Sequence, residues 1–185
     1  MKRDSTKFII PILLITLGLA ARLLPHPANF TPISAIALFA ALYLPRKYSL
    51  ILPILAMFVS DVFIGFYSLP IMIAVYASFI IMSLIGLLVR KNNHASPAGK
   101  KILNIFSGTL AGAIIFFLIT NFAVWAFGTM YSHNFSGLLD SYIAAIPFFR
   151  NSLLGDLFYC GIMIGGYEFV LSLKTKISLN TQNNS

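Results

Sequence analysis

Residues 22–32 read RLLPHPANFTP, and this proline-rich segment separates two apolar runs. It contains an arginine, a histidine and an asparagine among three prolines. Proline lacks an N–H group and fixes φ near −65°, so it ends a helix or opens the next one. The segment therefore predicts a stiff connection between two apolar helices, with polar side chains placed in that connection.

The composition is that of an integral membrane protein. Of the 185 residues, 58% are hydrophobic and 10% are charged, whereas about 25% are charged in a soluble domain. The net charge of +8 comes from short basic clusters between apolar runs, which is typical of membrane topology and argues against a nucleic-acid partner. A single cysteine excludes an internal disulfide framework and a multi-cysteine zinc site.

The apolar runs predict one all-α domain over residues 1–173, a compact bundle of six transmembrane helices, followed by a disordered cytoplasmic tail at 174–185. The first run also fits a signal peptide, but apolar character resumes soon after Arg22, which favours a spanning helix. The predicted spans lie near residues 8–25, 31–45, 48–66, 69–89, 102–128 and 152–173.

The basic residues predict the orientation of these spans. With a cytoplasmic N-terminus, eleven lysines and arginines lie inside and only Arg22 and Arg150 lie near the outer face. This asymmetry agrees with the positive-inside rule. Six spans then place both termini in the cytoplasm, with a long outer loop between the fifth and sixth helices at residues 129–151. Part of that loop is apolar enough for an interfacial or re-entrant helix that ends at Pro147.

In this topology most of the polar side chains that are costly to place within a membrane lie in the outer half of the bundle. Charged groups within a membrane usually face a cavity or a partner. We therefore predict an outward-facing pocket for a small-molecule substrate. Its candidate binding residues are Arg22, His26, Asn29, Asp61, Asn121, Trp125, Tyr131, Asp140, Arg150, Asp156 and Tyr159.

Each candidate also has a structural interpretation. Asp61 and Asp156 can each pair with an arginine as a tie between helices, Asn121 can bond a neighbouring helix, and Trp125 can belong to an interfacial aromatic belt. No ligand spacing supports a metal at His26, and we expect neither a metal nor a cofactor.

Small residues recur four positions apart in the inner half, at Ala37 and Ala41, at Gly108 and Gly112, and at Gly161 and Gly165. Such spacing lets helices approach closely. Internal packing is the usual reason for it. A docking face for a partner protein at Ala37 and Ala41 is the more specific hypothesis.

The stretches at 22–44, 60–66 (SDVFIGF), 120–131 (TNFAVWAFGTMY) and 146–159 (IPFFRNSLLGDLFY) resemble a family of small bacterial membrane proteins. Its members are labelled transport proteins, and their biochemistry is unknown. That family in turn resembles the substrate-binding S components of energy-coupling factor (ECF) vitamin transporters. The resemblance implies a multi-pass protein of the bacterial cytoplasmic membrane that binds a vitamin or a metal at its outer side. It also implies docking to a transmembrane coupling subunit with two ATPases. S components often carry an alanine-x-x-x-alanine motif in the first helix, which is absent from the first span here.

The sequence thus favours a transport component over an enzyme. No phosphate-binding GxxxxGK[ST], HExxH, GxSxG or CxxC motif is present, and Cys160 is interpreted as a packing residue. The alternative is a membrane enzyme that acts on a lipid or envelope substrate through Asp61, Asp140 or Asp156 as acid or base. A structural partner of a larger complex is a third possibility.

Overall fold

The structure, a computed structural model, describes residues 6–94 and 96–183, with side chains described for residues 9–94 and 96–173. Within these ranges the chain forms six α-helices. Their bounds are α1 Thr6–Leu23, α2 Ile33–Tyr43, α3 Arg46–Ile64, α4 Leu69–Asn93, α5 Ala98–Phe127 and α6 Phe135–Asn183.

The prediction of six helices in an all-α fold is confirmed, but among the described residues only four helices are long and apolar enough to cross a membrane. These are α3, α4, α5 and the Phe135–Leu173 part of α6, whereas Ile9–Leu23 and α2 are shorter apolar helices. With 11 residues, α2 is about 16 Å long at 1.5 Å per residue, well short of a hydrocarbon core about 30 Å thick.

The short helix α2 forms the centre of the bundle. Every residue from Ile33 to Ala41 is buried, because α2 packs against α3, α4, α5 and α6. A helix that is apolar on all sides suits such a position. Small residues allow the close approach: a Cβ added to Gly86 of α4 would lie 2.6 Å from the Cβ of Ala41.

Side-chain contacts show which helix ends lie together. Arg22 near the end of α1 contacts Asp61 near the end of α3, and these residues define the Asp61 end of the bundle. At the opposite end, Arg90 of α4 donates to the Leu44 carbonyl after α2, which defines the Arg90 end. The helices therefore alternate in direction, as the short connections require.

The predicted long loop between the fifth and sixth helices is largely helical. Only residues 128–134 lie between α5 and α6, and α6 runs for 49 residues with Pro147 inside it. Asn134 begins this helix as a cap, since its Oδ1 accepts from the Gly137 N–H at 2.8 Å. The helix continues to Asn183, through most of the segment for which the sequence predicted a disordered tail.

Candidate functional site

Two of the predicted pocket residues form a largely buried ion pair at the Asp61 end. Arg22 Nη1 donates to Asp61 Oδ1 at 2.8 Å, and the Asp61 side chain is wholly buried. The same nitrogen donates to the Ser60 hydroxyl, and Tyr76 of α4 donates to the second carboxylate oxygen at 2.8 Å. Both oxygens of Asp61 thus have partners, and the group ties α1 to α3 and α4.

Tyr67, in the connection between α3 and α4, lies near this ion pair. Burial and the Asp61 carboxylate raise the pKa of Tyr67 to about 12, while Arg22 acts in the opposite direction. The phenol is therefore neutral at physiological pH. Because Asp61 is wholly buried and both of its carboxylate oxygens have partners, the ion pair fits the structural interpretation of Arg22 and Asp61 better than a role in contacting a substrate.

The first connection is held against α6 by Phe30. The Phe30 ring lies 5.7 Å from the Phe158 ring and 5.6 Å from the Tyr159 ring. A Cβ added to Gly155 would lie 3.1 Å from the Phe30 Cα, a tight contact, so glycine at this position eases the close approach of the two backbones. Tyr159, a predicted pocket residue, thus packs beneath the loop.

The two polar residues earlier in that connection are exposed. His26 Nδ1 donates to the Leu24 carbonyl at 2.7 Å, which keeps it within its own loop. Asn29 adopts a φ of 64°, a left-handed conformation that asparagine tolerates better than most residues. This turn directs the chain so that Asn29 lines a cavity.

We call this cavity, of about 230 Å³, the Asn121 cavity. It brings together two predicted residues, Asn29 and Asn121, with side chains of α4, α5 and α6. Asn121 Nδ2 donates to the Phe117 carbonyl one turn earlier. The rest of the lining is mostly apolar, with the hydroxyls of Thr120 and Ser152 as further polar groups.

Trp125 and Tyr131 lie at the connection between α5 and α6 and do not line the Asn121 cavity. Trp125 Nε1 donates to the Ser132 carbonyl at 3.0 Å, and its ring meets the His133 ring edge-on at 6.1 Å. His133 Nε2 donates in turn to the Gly128 carbonyl. Trp125 therefore holds the connection between α5 and α6 through its contacts with Ser132 and His133.

Three predicted residues on α6 lie apart from one another. Asp140 and Arg150 are exposed, and ten residues of helix separate them by about 15 Å. Asp156 is 2% exposed, and its Oδ2 has no hydrogen-bond partner in the part of the chain that the structure describes. Ser34 of α2 is the polar side chain that interacts with this carboxyl group.

The larger cavity was not anticipated from the sequence. It has a volume of about 750 Å³ and lies at the Arg90 end between α2, α4, α5 and α6. We call it the Arg90 cavity. Its polar lining residues are Tyr43, Arg90, Asn93, His94, Lys101, Thr109, Cys160 and Glu168. Its volume falls within the range of roughly 300–1,000 Å³ of small-molecule sites, whereas that of the Asn121 cavity lies below it.

Some of the pairs of small residues pack against neighbouring helices, and one pair lines a cavity. Ala37 and Ala41 are 0% exposed, so both side chains serve internal packing in the described arrangement, and docking of a partner stays a prediction. A Cβ on Gly108 would lie 2.7 Å from the Val89 side chain, which confirms close packing there. Gly161 and Gly165 instead line the Arg90 cavity, and a Cβ on either would meet nothing within 4 Å.

The sequence offered signals for the Arg90 cavity that were assigned to other roles. In the sequence, Arg90 and Lys101 indicate the orientation of the helices, and the four-residue spacing of Gly161 and Gly165 predicts helix packing. Glu168 also lines the cavity and accepts a hydrogen bond from Tyr43 at 2.7 Å. Among the described residues, no three His, Cys, Asp or Glu side chains come together as a metal site.

The described part of the chain is an all-helical protein with four helices long and apolar enough to cross a membrane and with two cavities between its helices. Residues 2–179 match the model of a family of unknown function, DUF6580. The chain belongs to this family. Comparison with curated proteins and with solved structures found no match. The resemblance to S components therefore remains an interpretation of the sequence.

Proposed function

We propose that this chain is the substrate-binding membrane component of a transporter that takes up a small molecule, such as a vitamin or micronutrient. The observation that carries the proposal is the position of the two cavities along one helix. Ser152 lines the Asn121 cavity and Cys160 lines the Arg90 cavity. Eight residues of α6 separate them by about 12 Å along the helix axis.

The layer between the cavities is thin on α5 as well. Thr109 lines the Arg90 cavity and Ala113 lines the Asn121 cavity, one helical turn away. Asp156 lies midway between Ser152 and Cys160 on α6. Intramembrane acids usually mark a ligand or ion pathway, and an unpartnered carboxyl oxygen in this layer supports a path that connects the two cavities.

The basic residues suggest which cavity faces the cytoplasm. Arg90 and Lys101 line the larger cavity, and clustered lysines and arginines favour the cytoplasmic side. In this proposal the Asn121 cavity receives substrate from outside and the Arg90 cavity opens inward.

The resemblance to S components implies a coupling subunit with two ATPases, and we retain that partner as part of the proposal. It docks on a surface other than Ala37 and Ala41, since both side chains are buried. The enzyme alternative gains no support from the geometry. Asp61 is bound by Arg22 and Tyr76, whereas Asp140 is exposed, so these carboxylates do not converge on one substrate.

Native mass spectrometry of the purified protein after incubation with a defined mixture of vitamins tests the proposal. We expect one soluble compound to remain bound. Asn121→Ala should weaken its binding about tenfold to a hundredfold, because losing a hydrogen-bonding partner costs roughly 1–3 kcal/mol. Ser136→Ala is the matched control, since Ser136 is exposed and lines neither cavity. Equal binding by both variants would show that the substrate does not bind in the Asn121 cavity.

A further inference from the structure

The Arg90 cavity combines an apolar wall with a cationic rim. Much of its wall consists of aliphatic and aromatic side chains, including Leu42, Ile102, Ile105, Phe106, Leu157 and Ile164. Two of them also belong to the exposed apolar surface of α5: Ile102 is 69% exposed and Phe106 is 48% exposed. In a membrane-spanning helix such a surface faces lipid chains, so the cavity wall continues into the lipid-facing surface.

The charged lining residues favour an anionic group at one end of the cavity. Arg90 and Lys101 are cations, while the single acid, Glu168, already accepts a hydrogen bond from Tyr43. Arg90 uses Nη1 to donate to the Ala41 and Leu44 carbonyls. A guanidinium has five N–H donors, so the same side chain retains donors for a ligand.

The rim also lies where lipid headgroups are expected. Lys91 and Lys100 flank the two lining cations in sequence and are exposed at the same end of the bundle. Basic pockets between membrane helices on the cytoplasmic side bind anionic lipid headgroups. The apolar wall suits an acyl chain, and the cations suit a phosphate.

We propose that the Arg90 cavity is a binding site for an anionic phospholipid of the membrane leaflet at that end. The phosphate contacts Arg90 and Lys101, and one acyl chain lies along the apolar wall beside Gly161 and Gly165. This proposal does not rest on the transport function; because both use the Arg90 cavity, a substrate that leaves through it must displace the acyl chain.

The glycines provide a way to fill the cavity without disturbing the fold. Gly165 lines the cavity, and an added Cβ there would meet nothing within 4 Å. Gly165→Leu therefore places a side chain in the space assigned to the acyl chain. Its neighbour Gly166 is also exposed with open space around an added Cβ, but it does not line the cavity. Gly166→Leu is thus the matched control.

A second pair of variants tests the headgroup contact. Lys101→Gln removes a lining cation, and Lys100→Gln removes an adjacent exposed cation that does not line the cavity. Both changes lower the net charge equally. Arg90 is left unchanged, because it also satisfies carbonyl groups at the end of α2.

Native mass spectrometry from mixed micelles with equal amounts of phosphatidylglycerol and phosphatidylcholine measures the lipid that stays bound. We expect the wild type, Lys100→Gln and Gly166→Leu to retain phosphatidylglycerol selectively. Lys101→Gln should reduce this retention about tenfold, as expected for one charge-assisted contact, and Gly165→Leu should abolish it. Circular dichroism of each variant confirms its helical content.

The proposal is overturned if phosphatidylglycerol and phosphatidylcholine are retained equally, or if Lys100→Gln lowers retention as much as Lys101→Gln. Unchanged retention in Gly165→Leu also overturns it. A parallel sample contains the soluble single-chain acid laurate as the probe. Retention of laurate without phosphatidylglycerol would assign the cavity to a soluble acid and contradict the lipid assignment.

Discussion

Replacing Asp61 by asparagine tests whether the buried ion pair stabilises the fold. The change keeps the size of the side chain, but it leaves the Arg22 guanidinium, which is 16% exposed, without its carboxylate. Removing one partner of a buried pair typically costs about 3–5 kcal/mol. For a chain of this length that corresponds to a fall in Tm of roughly 6–20 °C, measured by thermal unfolding in detergent.

Two further variants make this test specific. Asp140→Asn removes an exposed carboxylate from α6 and should leave Tm almost unchanged. Arg22→Gln combined with Asp61→Asn should recover part of the lost stability, because no uncompensated charge then remains buried. If Asp61→Asn behaves like Asp140→Asn in unfolding and yet weakens substrate binding, then Asp61 contacts ligand and our interpretation of the ion pair is wrong.

Three other predictions concern packing and orientation. Gly86→Val should destabilise the protein by about 1–3 kcal/mol through overpacking, because its Cβ would lie 2.6 Å from that of Ala41; an unchanged Tm would mean that α2 and α4 are not in close contact. Phe30→Ala should lower the free energy of unfolding by about 1–3 kcal/mol, because two aromatic contacts are lost. An unchanged Tm would mean that the first connection does not pack against α6. In a Cys160→Ser background, Gly99→Cys should react with an impermeant maleimide only in inverted vesicles, and labelling in intact cells would reverse the predicted orientation.

The helices were predictable because their signals are local. Apolar runs bounded by proline, glycine or basic residues located all six, and Pro25 and Pro27 marked the first connection correctly. Within 129–151 the sequence predicts a short helix that ends at Pro147, because a proline usually ends or kinks a helix; it does not indicate that α6 continues through this proline. Asn134 is the sequence signal for the start of α6, because asparagine is a common N-cap residue and its side chain caps this helix.

The site was less predictable, because it depends on which residues face one another across helices. Arg22 and Asp61 were correctly placed at the same end, but their pairing with Tyr76 depends on the rotation of α4, which the sequence does not reveal. Asn29 and Asn121 do line one cavity. The Arg90 cavity arises because glycines at 161 and 165 leave space rather than contact a helix, a distinction that their spacing alone cannot make.

In the proposed transport path, the two cavities open to opposite sides of the membrane. Cysteine accessibility at one position in each cavity tests this arrangement, with Lys101→Cys in the Arg90 cavity and Asn121→Cys in the Asn121 cavity, each in a Cys160→Ser background because Cys160 itself is buried. With an impermeant maleimide, we predict that the cysteine at position 101 reacts in inverted vesicles and that the cysteine at position 121 reacts in intact cells. Reaction of both positions from the same side would contradict a path that connects the two faces.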